Sequence, residues 1–203
     1  RPPAGASDGW RSVNEHRPRA PRKITAQSLD NAALHYLERF ASSSGNLRRV
    51  LRRKVARAAA AHEADPAEGH ALIEALIARY LAAGLLDDRA YAAQKAASLR
   101  RRGTSRRGIA ARLAEKAVER TLIAEVLDPE EAEETGDFAA ACALMRRRRL
   151  GPYRPAAQRD VMRRRDLATL ARAGFAFDVA RRVLSALDPE TLEVWLREGE
   201  DTA

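Results

Sequence analysis

The side chains best equipped for chemistry in this chain are its arginines, and the chemistry they serve is anion recognition rather than bond-making. Three clusters stand out: Arg48, Arg49, Arg52 and Arg53 with Lys54; Arg100, Arg101, Arg102, Arg106, Arg107 and Arg112 around Gly103; and Arg146, Arg147, Arg148 and Arg149 with Arg154 around Gly151-Pro152. A guanidinium is a planar fork of donors that can grip a phosphate or a carboxylate with two parallel bonds. Between positions 87 and 120 ten basic residues face four acidic ones, and between 146 and 165 nine face one. With 37 Lys and Arg against 28 Asp and Glu the chain carries +9, a field that draws polyanions or acidic protein surfaces. These arginines are the candidate partner- or DNA-binding face.

No constellation for catalysis accompanies them. The sequence has no P-loop, no GxGxxG, no GxSxG and no HExxH, so the expectation is a non-enzymatic binding protein. The acidic run Asp128, Glu130, Glu131, Glu133, Glu134 and Asp137 lacks the alternating ligands and mid-loop glycine of a calcium loop and reads as a solvated helix start. Cys142 is the only cysteine, and the four histidines have no ligand spacing, so neither a disulfide, a metal nor a cofactor is expected. Nowhere do 18 apolar residues run together, and the N-terminal stretch has no apolar h-region; the cytoplasm is the expected compartment, with no membrane partner and no small-molecule substrate.

The elements that must position the arginines are helical. Ala, Leu and Arg dominate, while the Val, Ile, Thr and aromatic runs of strands are missing. Residues 1–27, rich in Pro and Gly with net charge +4, read as a disordered basic arm. From Ser28, placed here as a cap, apolar periodicity predicts a helix that stops around Ser42 to Gly45, and a second from Leu47 to Ala61. Asp65-Pro66-Ala67-Glu68 starts a third, closed by Gly84. Asp87 and Asp88 open the next, Gly103 breaks it, and Ser105 caps its successor. Further helices run through Leu122 to Leu127, up to Gly151-Pro152, near 156–173 and 176–187, and from Asp188-Pro189 onward.

Self-comparison pairs Leu29-Asp30 with Leu86-Asp87, and Gly45-Asn46-Leu47-Arg48-Arg49 with Gly103-Thr104-Ser105-Arg106-Arg107 and Gly151-Pro152-Tyr153-Arg154. The predicted fold is all-α: about three tandem three-helix repeats, over 28–86, 87–136 and 137–187, stacked into an elongated, curved rod. Residues 188–203 add a last helix and an acidic tail. On this alignment each unit carries Arg at or after its helix break, which would line basic patches along one side.

The segment Leu86 to Val118 resembles the RecX family. Asp88 and Tyr91 match an Asp followed three positions on by an aromatic, Arg101, Arg102 and Gly103 match a basic helix end and glycine, and Ile109 and Leu113 match an Ile and a Leu four apart. YLERFASSSGNLRRVLRRKV resembles that family's N-terminal repeat and RRRRLGPYR its third; Ala117 departs, standing where the family usually has Gly. The resemblance implies a regulator that binds RecA filaments on DNA and restrains recombination, ATP hydrolysis and the co-protease activity of the SOS response. It implies DNA contacted within the filament, and a monomer is expected. The residues alone leave two other readings open. One is a helix-turn-helix-like DNA binder centred on Gly103, and the other a helical adaptor for an acidic protein.

Overall fold

The computed structural model describes residues 23–63, 65–127 and 133–200. Its elements there are α1 (Ala26–Leu37), α2 (Ser44–His62), α3 (Ala67–Ala82), α4 (Asp88–Arg101), α5 (Arg106–Glu115), α6 (Arg120–Val126), α7 (Glu133–Arg148), a 3-10 turn (Gly151–Tyr153), α8 (Ala156–Arg172), α9 (Phe177–Ser185) and α10 (Pro189–Glu200), with no strand among the described residues. The chain is all-helical.

The helix starts follow short polar side chains. Ser43 accepts from the Asn46 amide, Asp87 from Ala90 and Ser105 from Gly108, each filling one of the donors a first turn leaves open. Asp65 accepts from the Ala67 amide, but α3 begins at Ala67, so Pro66 stands just ahead of the helix rather than in its first position. The first helices also differ from expectation: α1 ends at Leu37 rather than around Ser42 to Gly45, and α2 begins at Ser44 rather than Leu47. Thr25, not Ser28, caps α1; Ser28 is the third helical residue and answers Thr25 in a reciprocal capping box, which the spacing of two hydroxyls three residues apart allows. The arm expected to run to residue 27 overlaps this start, because α1 begins at Ala26 and Ile24 already packs on the first core. Residues 1–22, Asp128, Glu130, Glu131 and Asp201 lie outside the described residues.

Helices α1 to α3 enclose one core, with Leu29, Leu47, Ile73 and Ile77 shut off from solvent. Helices α4 to α6 enclose a second built on Leu99, Ile109, Leu113 and Ile123. The third gathers Phe138, Met145, Leu170 and Val183 from α7 to α9. Leu192 of α10 is fully buried in it, so this helix, predicted to lie beyond the repeats, is a fourth wall packed on α7. Each triplet brings one modest apolar face, and burying side chains of this size is worth about 1.5–3 kcal/mol apiece. Neighbours must therefore add to one another.

They do so through one joint built twice. At the first, Ser43 Oγ donates to the Lys116 carbonyl at the end of α5, while Asp88 accepts from the Ser44 amide (2.7 Å) and hydroxyl (2.6 Å). At the second, Ser105 Oγ donates to the Ala173 carbonyl at the end of α8 (2.7 Å), while Asp137 accepts from the Arg106 amide (2.7 Å). In both, the first turn of a triplet's second helix is capped by its own serine and by an aspartate from the next triplet.

This geometry corrects the repeat register read from sequence. Gly45 and Gly103 are not equivalent: Gly45 lies in the first turn of α2, whereas Gly103, at φ +74°, is the left-handed residue that ends α4. Nor does Leu29-Asp30 correspond to Leu86-Asp87. Asp87 caps α4, while Asp30 sits inside α1, where it pairs with Arg79 and accepts from the Tyr80 hydroxyl (2.9 Å). The true equivalence is Ser43 with Ser105. Glycine misleads here because it serves two unrelated needs, close approach and positive φ.

Candidate polyanion interface

The first cluster is largely engaged. Arg48 (2.8 Å) and Arg52 (2.9 Å) both hold Glu74 of α3, and Arg49 donates to the Asn46 side chain (2.8 Å) and the Glu115 carbonyl (2.7 Å) across the first joint. Slight burial works to raise the Glu74 carboxyl, but the two guanidinium groups outweigh it and hold it below its ordinary value. Only Arg53 is exposed without such a side-chain partner among the described residues.

The second and third clusters are brought together by Gly103. A Cβ there would come within 2.5 Å of the Leu144 amide and 2.7 Å of the Ala140 carbonyl, so the end of α4 is seated directly on α7. Arg147 and Arg148 follow Leu144 by one helical turn, roughly 5 Å along the same axis. Arg100, Arg101 and Arg102 thus lie where the end of α4 meets α7, whose last turn carries Arg147 and Arg148 with Arg149 just beyond; all six are exposed, and none has a partner among the described residues. Arg149 ends α7 at φ +52°, a left-handed position that glycine ordinarily takes. Cations suit helix C-termini, where carbonyls are left open.

Other predicted members have separate work. Arg106 is half-buried with its amide in the second joint, Arg107 is exposed beside it, and Arg112 is exposed further along α5. Arg146 pairs with Glu193 of α10 (3.1 Å). Arg154 belongs to the interior: its Nε (2.8 Å) and Nη2 (2.8 Å) hold both oxygens of Asp166, whose Oδ2 also accepts from the Gly151 amide (2.9 Å). Burial alone would raise the Asp166 carboxyl, yet the Arg154 fork and the Gly151 amide bring it below the usual carboxylate range. Arg154 ties the 3-10 turn to α8 rather than presenting a charge to a partner.

The motif residues are structural. Asp88 and Gly103 make the contacts described above, and Ile109 and Leu113 are wholly buried in the second core. Tyr91 is half-buried; burial pushes its phenol up, and Tyr36 of the first triplet and Asp88 add to this, which places it at the first joint. Sequence reading passed over Lys116, Asp137, Ala173 and Gly174 as joint residues. Asp137 had been grouped with a solvated acidic run, and the other three enter through backbone carbonyls or the lack of a side chain, which leave no signature of residue type. No grouping of His, Cys, Asp and Glu fit to hold a metal occurs among the described residues, and no helix there is long and apolar enough to cross a membrane.

Tandem helical triplets clamped end to end, each around its own apolar core, define a class of helical-repeat protein. The family model for the second three-helix domain of RecX matches residues 87–127. Regulatory protein RecX of Myxococcus xanthus (strain DK1622) is 43% identical over 182 residues, 89% of this chain and 97% of that protein. Regulatory protein RecX of Agrobacterium fabrum (strain C58 / ATCC 33970) is 30% identical, covering 81% of this chain and 85% of its own, and that of Halorhodospira halophila (strain DSM 244 / SL1) is 31% identical, covering 81% and 91%. The chain belongs to the RecX family. No solved structure matches it.

Proposed function

We propose that this protein is a non-enzymatic regulator that binds RecA filaments on DNA and inhibits the recombinase, its ATP hydrolysis and its co-protease activity in DNA repair and the SOS response. What supports the reading is that Arg100, Arg101, Arg102, Arg147, Arg148 and Arg149, carried where α4 meets α7, are all exposed and without partners among the described residues. Unpaired guanidinium groups are relieved by a polyanion, and nucleic-acid phosphates along a filament supply one. In this reading the protein acts as a monomer, its tandem triplets laid along the filament.

A helix-turn-helix mode fits less well. A recognition helix reads base edges from its first turn, but the first turn of α5 is clamped against the third triplet, with Ser105 fully buried and the Arg106 amide held by Asp137.

The test is RecA ATP hydrolysis on single-stranded DNA as the protein is titrated in at physiological salt, beside a titration of the protein on the DNA alone. Inhibition at substoichiometric amounts, where bare DNA is barely occupied, is the expected result. Reversing Arg101, Arg102, Arg147 and Arg148 to Glu should weaken that inhibition at least tenfold with helical content unchanged. Full inhibition by that variant would remove the proposed surface, and no inhibition by the native chain would remove the function.

A further inference from the structure

The two joints differ at one pair of positions. At each, the residue two after the capping serine meets the left-handed residue that ends a helix of the next triplet. At the first joint these are Gly45 and Ala117, and at the second Arg107 and Gly174. A Cβ on Gly45 would lie 2.2 Å from the Ala117 carbonyl oxygen, so no side chain fits there. At the second joint the glycine has changed sides: Gly174, at φ +90°, leaves room for the Arg107 side chain. The clamp therefore works without a cation at this position, and Arg107 is not needed to hold the joint.

Arg107 instead lines an open groove of about 650 Å³ between the second and third triplets. Its floor is apolar and comes from both sides: Ala110 and Ala124 of the second triplet and Ala171 and Ala176 of the third offer surface, over the edges of the nearly buried Ile123, Leu127, Phe175 and Val179. Three arginines, Arg106, Arg107 and Arg120, stand on it against Asp137 and Asp178. The acids are already answered: Asp137 accepts from the Arg106 amide, and Asp178 lies in the first turn of α9, where the helix dipole favours an anion. Neither Arg107 nor Arg120 has a partner among the described residues. Both, moreover, sit in the first turns of helices, the end at which a cation is disfavoured. Local stability does not account for them; an anion in the groove does.

We infer that this groove docks an acidic peptide segment of a partner protein, one that alternates carboxylates with apolar side chains. The carboxylates meet Arg107 and Arg120 while the apolar groups cover the floor. A phosphodiester chain satisfies the arginines but brings nothing to an apolar floor. The groove shares Arg106, Arg107, Asp137 and Gly174 with the second joint, so an occupant also bears on how the third triplet is held. This inference is separate from the filament reading, which rests on Arg100, Arg101, Arg102, Arg147, Arg148 and Arg149.

The probes are a fluorescent twelve-residue peptide of alternating Glu and Leu, a twelve-residue poly-Glu peptide, and a twelve-nucleotide oligo-dT, each titrated by anisotropy on the full chain at physiological salt. The Glu-Leu peptide should bind at least fivefold more tightly than poly-Glu. R107E with R120E should weaken it about tenfold, A124W, which fills the groove without altering charge, should do likewise, and R57E, at an exposed position in the first triplet outside the arginine clusters, should leave it unchanged. Oligo-dT binding should be insensitive to A124W. Peptide binding that survives both groove variants, or equal binding of the Glu-Leu and poly-Glu peptides, overturns the proposal, as does oligo-dT displacing the peptide and losing affinity with A124W. RecA ATPase measured with R107E/R120E tells the two readings apart, because the filament surface is intact in that variant.

Discussion

Two single residues carry more of the fold than their types advertise. Ala117 closes α5 at φ +53°, with its amide on Ala114 (2.8 Å) and the Val118 amide on Leu113 (3.1 Å), the pattern that glycine usually completes. An L-residue pays about 1 kcal/mol for the left-handed region. Ala117→Gly should therefore stabilise the chain by about 0.5–1 kcal/mol in a urea titration, less the added freedom of the unfolded chain; destabilisation would mean that the methyl packing on Gly45 matters more. Asp166, 1% exposed, is the charge on which the third triplet closes. Asp166→Asn should cost about 3 kcal/mol, because Arg154 is then left without its anion. Since the folded carboxyl is held below its unfolded value, its contribution is complete above about pH 4 and disappears as the pH falls through the lowered folded value. Acid unfolding of the native chain should therefore steepen below that point, and the Asn variant, compared by circular dichroism, should lose this component.

Helix by helix, the decisive contacts are terminal. The first turns of α2 and α5 each take a serine from their own triplet and an aspartate from the next, so capping and joining are one event. Substituting Gly45 with Ala forces a methyl onto the Ala117 backbone carbonyl, which cannot swing aside as a side chain does. A loss above about 2 kcal/mol is expected, with amide exchange accelerating first around Ser44 and Lys116 rather than in the third core; uniform acceleration would show that the joint is not a separate unit. The caps at Asp87 and Ser105 were legible because a cap is a local pattern of residue types. Thr25 was missed because Thr and Ser three apart can each be read as the cap, and the choice falls to where Leu29 must be buried.

For the molecule as a whole, the arginines divide by what faces them. Arg48, Arg52, Arg146 and Arg154 meet carboxylates of their own triplets, while the group around Gly103 and the end of α7 does not. Binding of polyanions should reflect this division. Alanine at Arg101 or Arg148 should lower the slope of log affinity against log salt by about 0.7–0.9 on single- or double-stranded DNA. Alanine at Arg154 should leave the slope alone while lowering the melting temperature. Equal slopes for all three variants would mean that the charge acts as a diffuse field rather than as a surface.

The sequence by itself determined that the chain is helical, where most helices begin and end, and, through Asp88, Tyr91, Gly103, Ile109 and Leu113, the family to which it belongs. Periodicity and capping are short-range, and a few neighbouring residues suffice to specify them. Only the tertiary structure decided the register of the repeats, the use of Asp137 and Gly174 in a joint, the burial of α10, and which arginines are engaged. Each of these depends on which group from a distant stretch of chain arrives opposite a given side chain. A guanidinium facing Asp166 and one facing solvent are the same letter in the sequence, and their difference is made entirely by the packing of one triplet on another.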